Sequence, residues 1–200
     1  MTMGLEHMAG FARIAAEGAA AKGPEEALYA ITRAIPALLG DRAAALQPNA
    51  FRETPPPTIG AAAVAFMRTA DGQHHMITAP VNFAPEQYHE LVDIKLGHPG
   101  EVAHTRQPML LRDTALHAGF VKILQSFRAG SSMFAPLLFR GEYLGVLICA
   151  NAARNTFGED DLIAHRGFAA LAASLWVAQG GPAWMAAQDL SKLPRRSVGT

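Results

Sequence analysis

Eight histidines are the residues of this sequence with the most obvious capacity for chemistry. Imidazole binds zinc, copper, iron and nickel, so their spacing decides whether several could share one ion. His74 and His75 are adjacent in a predicted strand, which points their side chains to opposite faces. His98 and His104 are six residues apart and do not share a helix face. The histidine pattern therefore predicts no metal site.

Two pairs of side chains do have a spacing that can chelate if residues 85–96 form a helix. The pairs are His89 with Asp93 and Glu86 with Glu90. A solvated polar helix face has the same pattern, and we favour that interpretation. Haem ligation through His117 or His75 is an alternative that the sequence leaves open. We expect no metal, and no cofactor apart from an unidentified small-molecule ligand.

The single cysteine argues against thiol chemistry. Cys149 lies in the middle of a predicted strand, between Ile148 and Ala150, where apolar surroundings raise the pKa of a thiol and make it unreactive. One cysteine also cannot form an internal disulfide, which is typical of proteins from a reducing compartment. We predict a buried core thiol and a cytoplasmic protein.

Other catalytic signatures are missing from the sequence. No glycine-rich phosphate loop follows a strand, and no serine stands in a nucleophile elbow. The "GGP" at residues 180–182 follows a helix and indicates a stop. The sequence thus predicts no catalytic residues and a protein that is not an enzyme.

Charge and hydropathy exclude further classes of function. The 17 basic and 17 acidic side chains cancel, and Arg195 and Arg196 form the one basic cluster, so we expect no direct nucleic-acid partner. The N-terminus lacks a signal-peptide pattern, and no apolar stretch approaches the roughly 20 residues of a membrane span. The sequence predicts a soluble protein with no membrane partner.

Helical periodicity recurs at both ends of the chain. Residues 24–40 predict a helix that begins at Pro24 and is kinked at Pro36. Residues 159–178 predict a long terminal helix that opens on acidic side chains, which favour a helix N-terminus. Shorter helices are predicted at the following places: a first helix ending near residue 18, residues 85–96, a two-turn helix from residue 99, and a helix or helical loop over residues 115–129.

Strands are predicted between these helices. Residues 63–69 and 74–83 predict a hairpin around Asp71 and Gly72. Residues 131–151, "SSMFAPLLFRGEYLGVLICAN", contain two apolar runs around a short turn. In the second run Tyr143 and Leu147 alternate with Leu144 and Val146, and both sets are apolar. A strand of this kind is buried on both faces, so helices or loops must cover both faces of the sheet.

Four stretches in this order resemble the GAF domain family. They are "GDRAAAL" at 40–46, "GHPGEVAHTRQPMLLRD" at 97–113, the strands at 131–151, and "FGEDDLIAHRGFAALAASLW" at 157–176. GAF domains show a glycine-rich short helix ending in a Gln-Pro-like turn, a Pro-Leu strand, a Gly-Val-Leu strand ending in Asn, and Phe-x-x-x-Asp before the last helix. The ordered set, rather than any one piece, carries the resemblance.

The resemblance implies an α+β fold, an α/β/α sandwich. Its central antiparallel sheet would have terminal helices on one face and short helices and loops over a ligand cavity on the other. It favours a strand over a continued helix at residues 41–46, and the short helix after Gly97 would wall the cavity. Cyclic-nucleotide-binding members carry Asn-Lys, whereas Asn151 is followed here by Ala152, and the cysteine of bilin-binding members is missing.

Candidate ligand-binding residues lie on or near the elements expected to enclose the cavity. They mix aromatic surface with polar anchors, as small-molecule sites do. The candidates are Arg68, His75, Arg112, His117, Phe120, Phe127, Phe134 and Tyr143. Core packing for the phenylalanines and solvation for the arginines are the alternative interpretations.

We expect three parts in the chain: an N-terminal helix at 1–23 that could contact a dimer partner, a GAF-like domain at 24–178, and a tail or short docking helix at 179–200. The predicted function is a sensory and regulatory module for signal transduction that binds a small molecule and signals through a homodimer. The residues after 176 are too few for an output domain, so a separate output protein is expected. The alternatives are a ligand-free scaffold and an enzyme of the free methionine-(R)-sulfoxide reductase type.

Overall fold

The computed structural model describes the backbone of residues 2–196 and the side chains of residues 8–196. Within this range the α-helices are α1 (Thr2–Ala19), α2 (Pro24–Thr32), α3 (Ile35–Leu38), α4 (Gly97–Thr105), α5 (Glu159–Ala178) and α6 (Gly181–Ala186). Three short 3₁₀ helices span Arg42–Leu46, Pro85–Gln87 and Thr114–Leu116. Met1 and residues 197–200, at the ends of the predicted first and last parts of the chain, lie outside the described residues.

Six strands of the described chain form one antiparallel sheet. They are β1 (Ala61–Arg68), β2 (His74–Val81), β3 (Leu91–Asp93), β4 (Met109–Leu111), β5 (Ser131–Phe139) and β6 (Glu142–Asn151). Their order across the sheet is β3-β2-β1-β6-β5-β4, so the β1–β2 and β5–β6 hairpins join through β1 and β6 at the centre. The predicted α+β architecture is confirmed.

Both faces of β6 are buried, as its sequence predicts. Leu147 and Cys149 belong to a large core between the sheet and helices α2 and α5. Val146 and Ile148 belong to a second core on the opposite face, which includes Val102 of α4. Helices therefore cover one face, and α4 with the loops between residues 83 and 130 covers the other.

Tyr143 lies on the opposite face from the predicted one. Leu137 pairs with Gly145, but Leu138 pairs with Tyr143, so Leu144 is an extra residue in the β5–β6 ladder. Such a bulge inverts the alternation of side chains beyond it. Leu144 accordingly packs on the helix-side core, while the Tyr143 ring lies 5.9 Å from the His75 ring on the other face. The prediction that Tyr143 and Leu147 share a face is wrong.

Two other predicted elements take a different form. Residues 42–46 form a 3₁₀ helix instead of a strand, because the Asp41 carboxylate accepts a hydrogen bond from the Ala43 amide and caps it. A helix or helical loop was expected at residues 115–129. The segment forms one 3₁₀ turn that ends at Leu116 and is irregular beyond it, so the helix alternative is wrong.

The helix expected over residues 85–96 is also wrong. Its first turn exists as Pro85–Gln87, but His89 has a left-handed backbone with φ of 59° that stops the helix. Leu91 and Val92 then pair with β2 as the edge strand β3. The proposed chelating pairs of this helix lose their common face, and His89 instead contacts Glu25 of α2 at 3.0 Å.

Candidate functional site

An irregular segment, residues 117–130, crosses the face of the sheet opposite the long helices; we call it the lid. Its last residue, Gly130, is fixed by two backbone bonds: its carbonyl accepts from the Thr114 amide, just before the lid, at 2.9 Å, and its amide donates to the Asn151 carbonyl at 2.8 Å. Its centre is held by side chains from elsewhere. Buried Gln87 donates to the Ile123 carbonyl at 2.9 Å and accepts from the Gln125 amide at 3.1 Å.

A small cavity of about 50 Å³ lies between the lid, α4 and the sheet. Its walls are predominantly apolar, with four phenylalanine rings and several aliphatic side chains. The polar side chains among its lining residues are those of His98 and Ser132. The lining residues are Ala62, Ala63, Val64, Phe66, Phe83, His98, Pro99, Phe120, Val121, Ile123, Leu124, Ser132, Phe134, Ile148 and Ala150.

Two glycines allow α4 to reach the cavity. Gly97 has φ of 57°, and a Cβ there would lie 3.3 Å from Val121 of the lid. A Cβ at Gly100 would stand 2.2 Å from the backbone carbon of Lys95, which no side chain can tolerate. Glycine at these positions therefore lets the first turn of α4 pack tightly and carries His98 into the wall.

His98 is the polar side chain best placed to orient a ligand. It is 6 % exposed, and its ring is stacked on Phe134 with centroids 5.8 Å apart. His117 and Phe120 of the lid contact the same ring at 5.7 and 5.8 Å. Its buried Nδ1 has no hydrogen-bond partner within the described chain. Burial lowers the pKa of His98, so the ring is neutral and offers one donor and one acceptor.

His75 and Tyr143 form a second buried polar pair on the same face. The Nε2 atom of His75 and the Tyr143 hydroxyl are hydrogen bonded at 2.7 Å, and the His75 ring is 6.0 Å from Phe66. Burial lowers the pKa of His75 to about 3 and raises that of Tyr143, so both side chains are neutral. Neither lines the small cavity; Tyr143 instead faces a surface groove shared with Arg68 and Arg106.

The structure thus divides the candidate residues into groups. Phe120 and Phe134 line the cavity, and His117 touches its wall through His98. Phe127 is buried beside the cavity in a smaller cluster with Leu124. The remaining candidates lie apart from it: His75 and Tyr143 in their own pair, Arg68 exposed at the end of β1, and Arg112 exposed with its Nη2 3.5 Å from Glu159. Direct ligand contact by any of them stays a prediction.

Sequence reasoning found Phe120 and Phe134 but missed the other wall residues, of which His98, Phe83 and Ile123 are the most informative. His98 was assigned to a cavity-wall helix but not to the ligand-contacting set, and its burial is the signal that distinguishes it from exposed His104. Phe83 follows β2 and Ile123 lies in the irregular lid, where no periodicity indicates which way a side chain points.

Two further side chains with reactive groups, Cys149 and His165, lie on the face of the sheet toward the long helices. Cys149 is 1 % exposed, and burial raises the pKa of its thiol far above the usual range. His165 of α5 is fully buried and donates from Nε2 to the Leu147 carbonyl at 3.0 Å. Burial lowers the pKa of His165 to about 4 despite that hydrogen bond. Both side chains are packed in the core and face away from the cavity.

Asp161 shows what the Phe-x-x-x-Asp pattern does in this chain. One carboxylate oxygen accepts from the Gly158 amide at 2.9 Å and closes the first turn of α5. The other accepts from the Gly40 amide at 2.8 Å, which ties the end of the N-terminal helices to α5. Both oxygens have backbone partners, so Asp161 is a structural residue in this arrangement.

Comparison with known families decides the identity of this fold. The GAF domain family model matches residues 23–176, which is more than three quarters of the chain. This chain belongs to the GAF domain family. A comparison with the sequences of curated proteins gives no match.

Solved structures of other GAF domains share the architecture at low sequence identity. The GAF domain of an Acinetobacter phosphoenolpyruvate-protein phosphotransferase has 15 % identity and a TM-score of 0.67, with 86 % of this chain and 92 % of that chain covered. The corresponding domain from Coxiella burnetii has 19 % identity and the same TM-score, with 90 % and 98 % covered. Free methionine-R-sulfoxide reductase from Neisseria meningitidis, solved with its substrate, has 12 % identity and a TM-score of 0.67, covering 90 % and 92 %. At these identities the likeness concerns the fold.

Among the described side chains, residues 8–196, no three of histidine, cysteine, aspartate or glutamate are grouped so that they could hold a metal ion. No helix of the described chain is both long and apolar enough to cross a membrane. The cavity under the lid is thus the best-formed candidate site.

Proposed function

We propose that this GAF domain is a sensory and regulatory module that binds a small, uncharged and largely apolar molecule between the sheet and the lid. The observation that carries this proposal is His98, whose buried Nδ1 lacks a partner within the described chain and which lines an otherwise apolar cavity. Buried polar groups are normally hydrogen bonded, and small-molecule sites combine apolar walls with a few polar anchors. A neutral imidazole suits a heterocycle or a hydroxyl-bearing aromatic.

The size of the cavity sets a condition on this function. At about 50 Å³ it is smaller than the ~300–1,000 Å³ typical of ligand sites, so a ligand must displace part of the wall. The lid is the part able to move, because its centre is held by a few side-chain bonds rather than by regular secondary structure. Binding would shift the lid outward and carry Phe120 with it.

The same small volume favours a second candidate function, a GAF scaffold without a ligand. Phe66, Phe120 and Phe134 line the cavity of about 50 Å³ that lies between lid and sheet, and they belong to or pack on the same apolar cluster. In that case the domain would act only by dimerisation or by docking a partner. The two functions differ in one measurable property, which is whether a small molecule stabilises the folded protein.

For output we propose a homodimer or a separate partner protein, in the cytoplasm. The outer face of α5 supports a dimer, because it exposes Ile163, Gly167 and Ala170 at helical spacing. Ile163 is 64 % exposed, and small neighbours permit a second helix to approach closely. The lone buried thiol is consistent with a reducing compartment.

We further propose that the chain is not an enzyme, and in particular does not reduce free methionine-R-sulfoxide. Cys149 is buried between the sheet and the helices, where the thiolate is disfavoured. Incubation of the protein with free methionine-R-sulfoxide and dithiothreitol should give no turnover above the rate without protein. Turnover that the Cys149→Ser variant loses would refute this part of the proposal.

Binding is tested by native mass spectrometry and thermal shift. Protein purified from its natural source should carry a small molecule, and a ligand at 100 times its Kd should stabilise the fold by about 2.7 kcal/mol. His98→Leu should reduce this stabilisation by at least half, whereas His104→Leu, on the exposed side of the same helix, should preserve it. Equal stabilisation in both variants would exclude His98 as the anchor, and no co-purifying molecule together with no shift across a metabolite library would favour the scaffold.

A further inference from the structure

The C-terminal residues of the described chain wrap around one edge of the sheet. We call residues 187–196 the strap; it follows α6 and lies beyond the residues that the family model matches. At its start, Leu190 and Leu193 pack on the helix-side core, next to buried Met185 of α6. At its end, Arg196 reaches the lid on the opposite face. The strap therefore connects the two faces of the sheet past the edge strand β3.

Backbone hydrogen bonds fix the strap to β3. The Leu91 amide donates to the Pro194 carbonyl at 2.7 Å, and the Arg196 amide donates to the Leu91 carbonyl at 2.9 Å. These two bonds form a parallel bridge between Leu91 and Arg195. Leu91 itself is 1 % exposed and belongs to the helix-side core. The position of the strap is thus set by the sheet rather than by contacts at the surface alone.

Arg196 joins the strap directly to the cavity wall. Its Nη1 donates to the Ile123 carbonyl at 2.7 Å and lies 3.6 Å from the Glu90 carboxylate. Both charged side chains are mostly buried, at 16 % and 12 % exposed, so water screens this contact only weakly. The Ile123 side chain lines the cavity, and its carbonyl also accepts from Gln87. One lid residue therefore faces the ligand space on one side and the strap on the other.

We propose that the strap is a latch that holds the lid closed and transmits its opening to the sheet edge. The proposal rests on the function proposed above, since it concerns regulation of the same cavity. Entry of a molecule large enough to displace Ile123 must lengthen or break the Arg196 bond. The loss of that bond weakens the parallel bridge at Leu91, because the Arg196 amide supplies one of its two hydrogen bonds. Binding of a molecule in the cavity would thereby release the strap, which directly follows α6.

Hydrogen exchange of the ligand-free protein tests the latch by itself. In Arg196→Met, which keeps the stem of the side chain and removes its donors, amides of residues 120–126 should exchange about tenfold faster than in the natural protein. Arg195→Met is the matched control, because Arg195 contacts the His74 Nε2 at 3.1 Å and not the lid. Equal lid exchange in all three proteins, with unchanged circular dichroism, would overturn the proposal.

Indole serves as the apolar probe for the coupling. Calorimetry should show that indole binds Arg196→Met about tenfold more tightly than the natural protein, because a latch lowers the fraction of open, binding-competent molecules. By reciprocity, saturating indole should accelerate exchange of the Leu91 amide in the natural protein. Equal indole affinity of the natural protein and Arg196→Met would overturn the coupling.

Glu90→Gln offers a milder second variant that keeps the shape of the site. It should accelerate lid exchange less than Arg196→Met does, since the hydrogen bond to Ile123 survives. If indole binds none of the proteins, the proposed apolar site fails, while the exchange of the lid in the ligand-free variants still decides whether the strap holds it. The two proposals therefore fail by different results.

Discussion

Two fully buried histidines are expected to make the stability of this domain sensitive to acid. Burial lowers the pKa of His75 to about 3 and of His165 to about 4, from an ordinary value of 6.5. Because the folded values lie below the unfolded one, the unfolded chain binds protons first as the pH falls. Each histidine therefore contributes full stability above pH 6.5. That stability is lost progressively as the pH falls to about 4 for His165 and to about 3 for His75.

We expect the free energy of unfolding to fall by about 2 kcal/mol for each of these histidines between pH 7 and pH 5. His165→Gln should remove roughly half of the pH-dependent loss that the two histidines cause, whatever it does to stability at pH 7. Urea unfolding at both pH values measures the difference. His104→Gln, on an exposed face, should leave the pH dependence intact; an identical slope in His165→Gln would contradict the role of burial.

Prediction of the candidate site from sequence succeeds where burial follows from strand alternation and fails where it depends on the lid. Phe134 lies on a strand whose apolar pattern places it inside, and it does line the cavity. Ile123 and Phe83 lie in irregular segments, so their inward orientation comes from tertiary contacts that no local pattern encodes. His98 was within reach of sequence reasoning, because Gly97 and Gly100 around it indicate a closely packed helix start.

At the scale of single elements, the pairing of β6 with β1 requires glycine at position 145, which lies opposite Met67. A Cβ at Gly145 would stand 2.3 Å from the Phe66 carbonyl oxygen, and the backbone there has φ of 156°. The adjacent bulge at Leu144 turns Tyr143 toward His75 and so positions the buried polar pair. Gly145 thus permits the close approach of β6 to β1, and the bulge at Leu144 beside it sets the orientation of Tyr143.

Gly145→Ala should lower the free energy of unfolding by about 2 kcal/mol or more, because either β1 or β6 must shift to make room. Chemical denaturation gives the magnitude, and the environment of the Tyr143 ring in NMR spectra should change with it. Gly119→Ala is the control: this exposed residue has no atom within 4 Å of its added Cβ, so the free energy of unfolding should change by less than about 0.5 kcal/mol. An unchanged free energy of unfolding in Gly145→Ala would show that the two strands can move apart without cost.

The elements themselves were predictable where their periodicity is long. The α5 helix and the β5–β6 hairpin occur where the sequence predicts them, since their apolar patterns extend over nine or more residues. The helix predicted over residues 85–96 is wrong because the same apolar residues can form an edge strand. Leu91 and Val92 pair with β2, and the local sequence does not specify that pairing. The left-handed backbone of His89 is likewise not specified by the local sequence, and the His89 ring contacts Glu25 of α2.

At the scale of the whole molecule, the proposed dimer predicts the mass of the protein in solution. Light scattering should give twice 21.3 kDa at micromolar concentration if α5 packs against its copy. Ala170→Arg, at the centre of the exposed α5 face, should reduce the mass to that of one chain. Ala115→Arg is exposed on the cavity side and should have no effect. A monomer at every concentration would leave a partner protein as the route of output.

The buried thiol of Cys149 can report how often the core of this domain opens. Its sulfur lies in the layer where β6 meets the helices, so an alkylating reagent can reach it only when that layer separates. The labelling rate in native buffer should therefore follow the population of globally unfolded molecules, and it should rise more in Gly145→Ala than in Arg196→Met. Labelling as fast as that of a free peptide thiol would mean that the central layer breathes while the remainder stays folded.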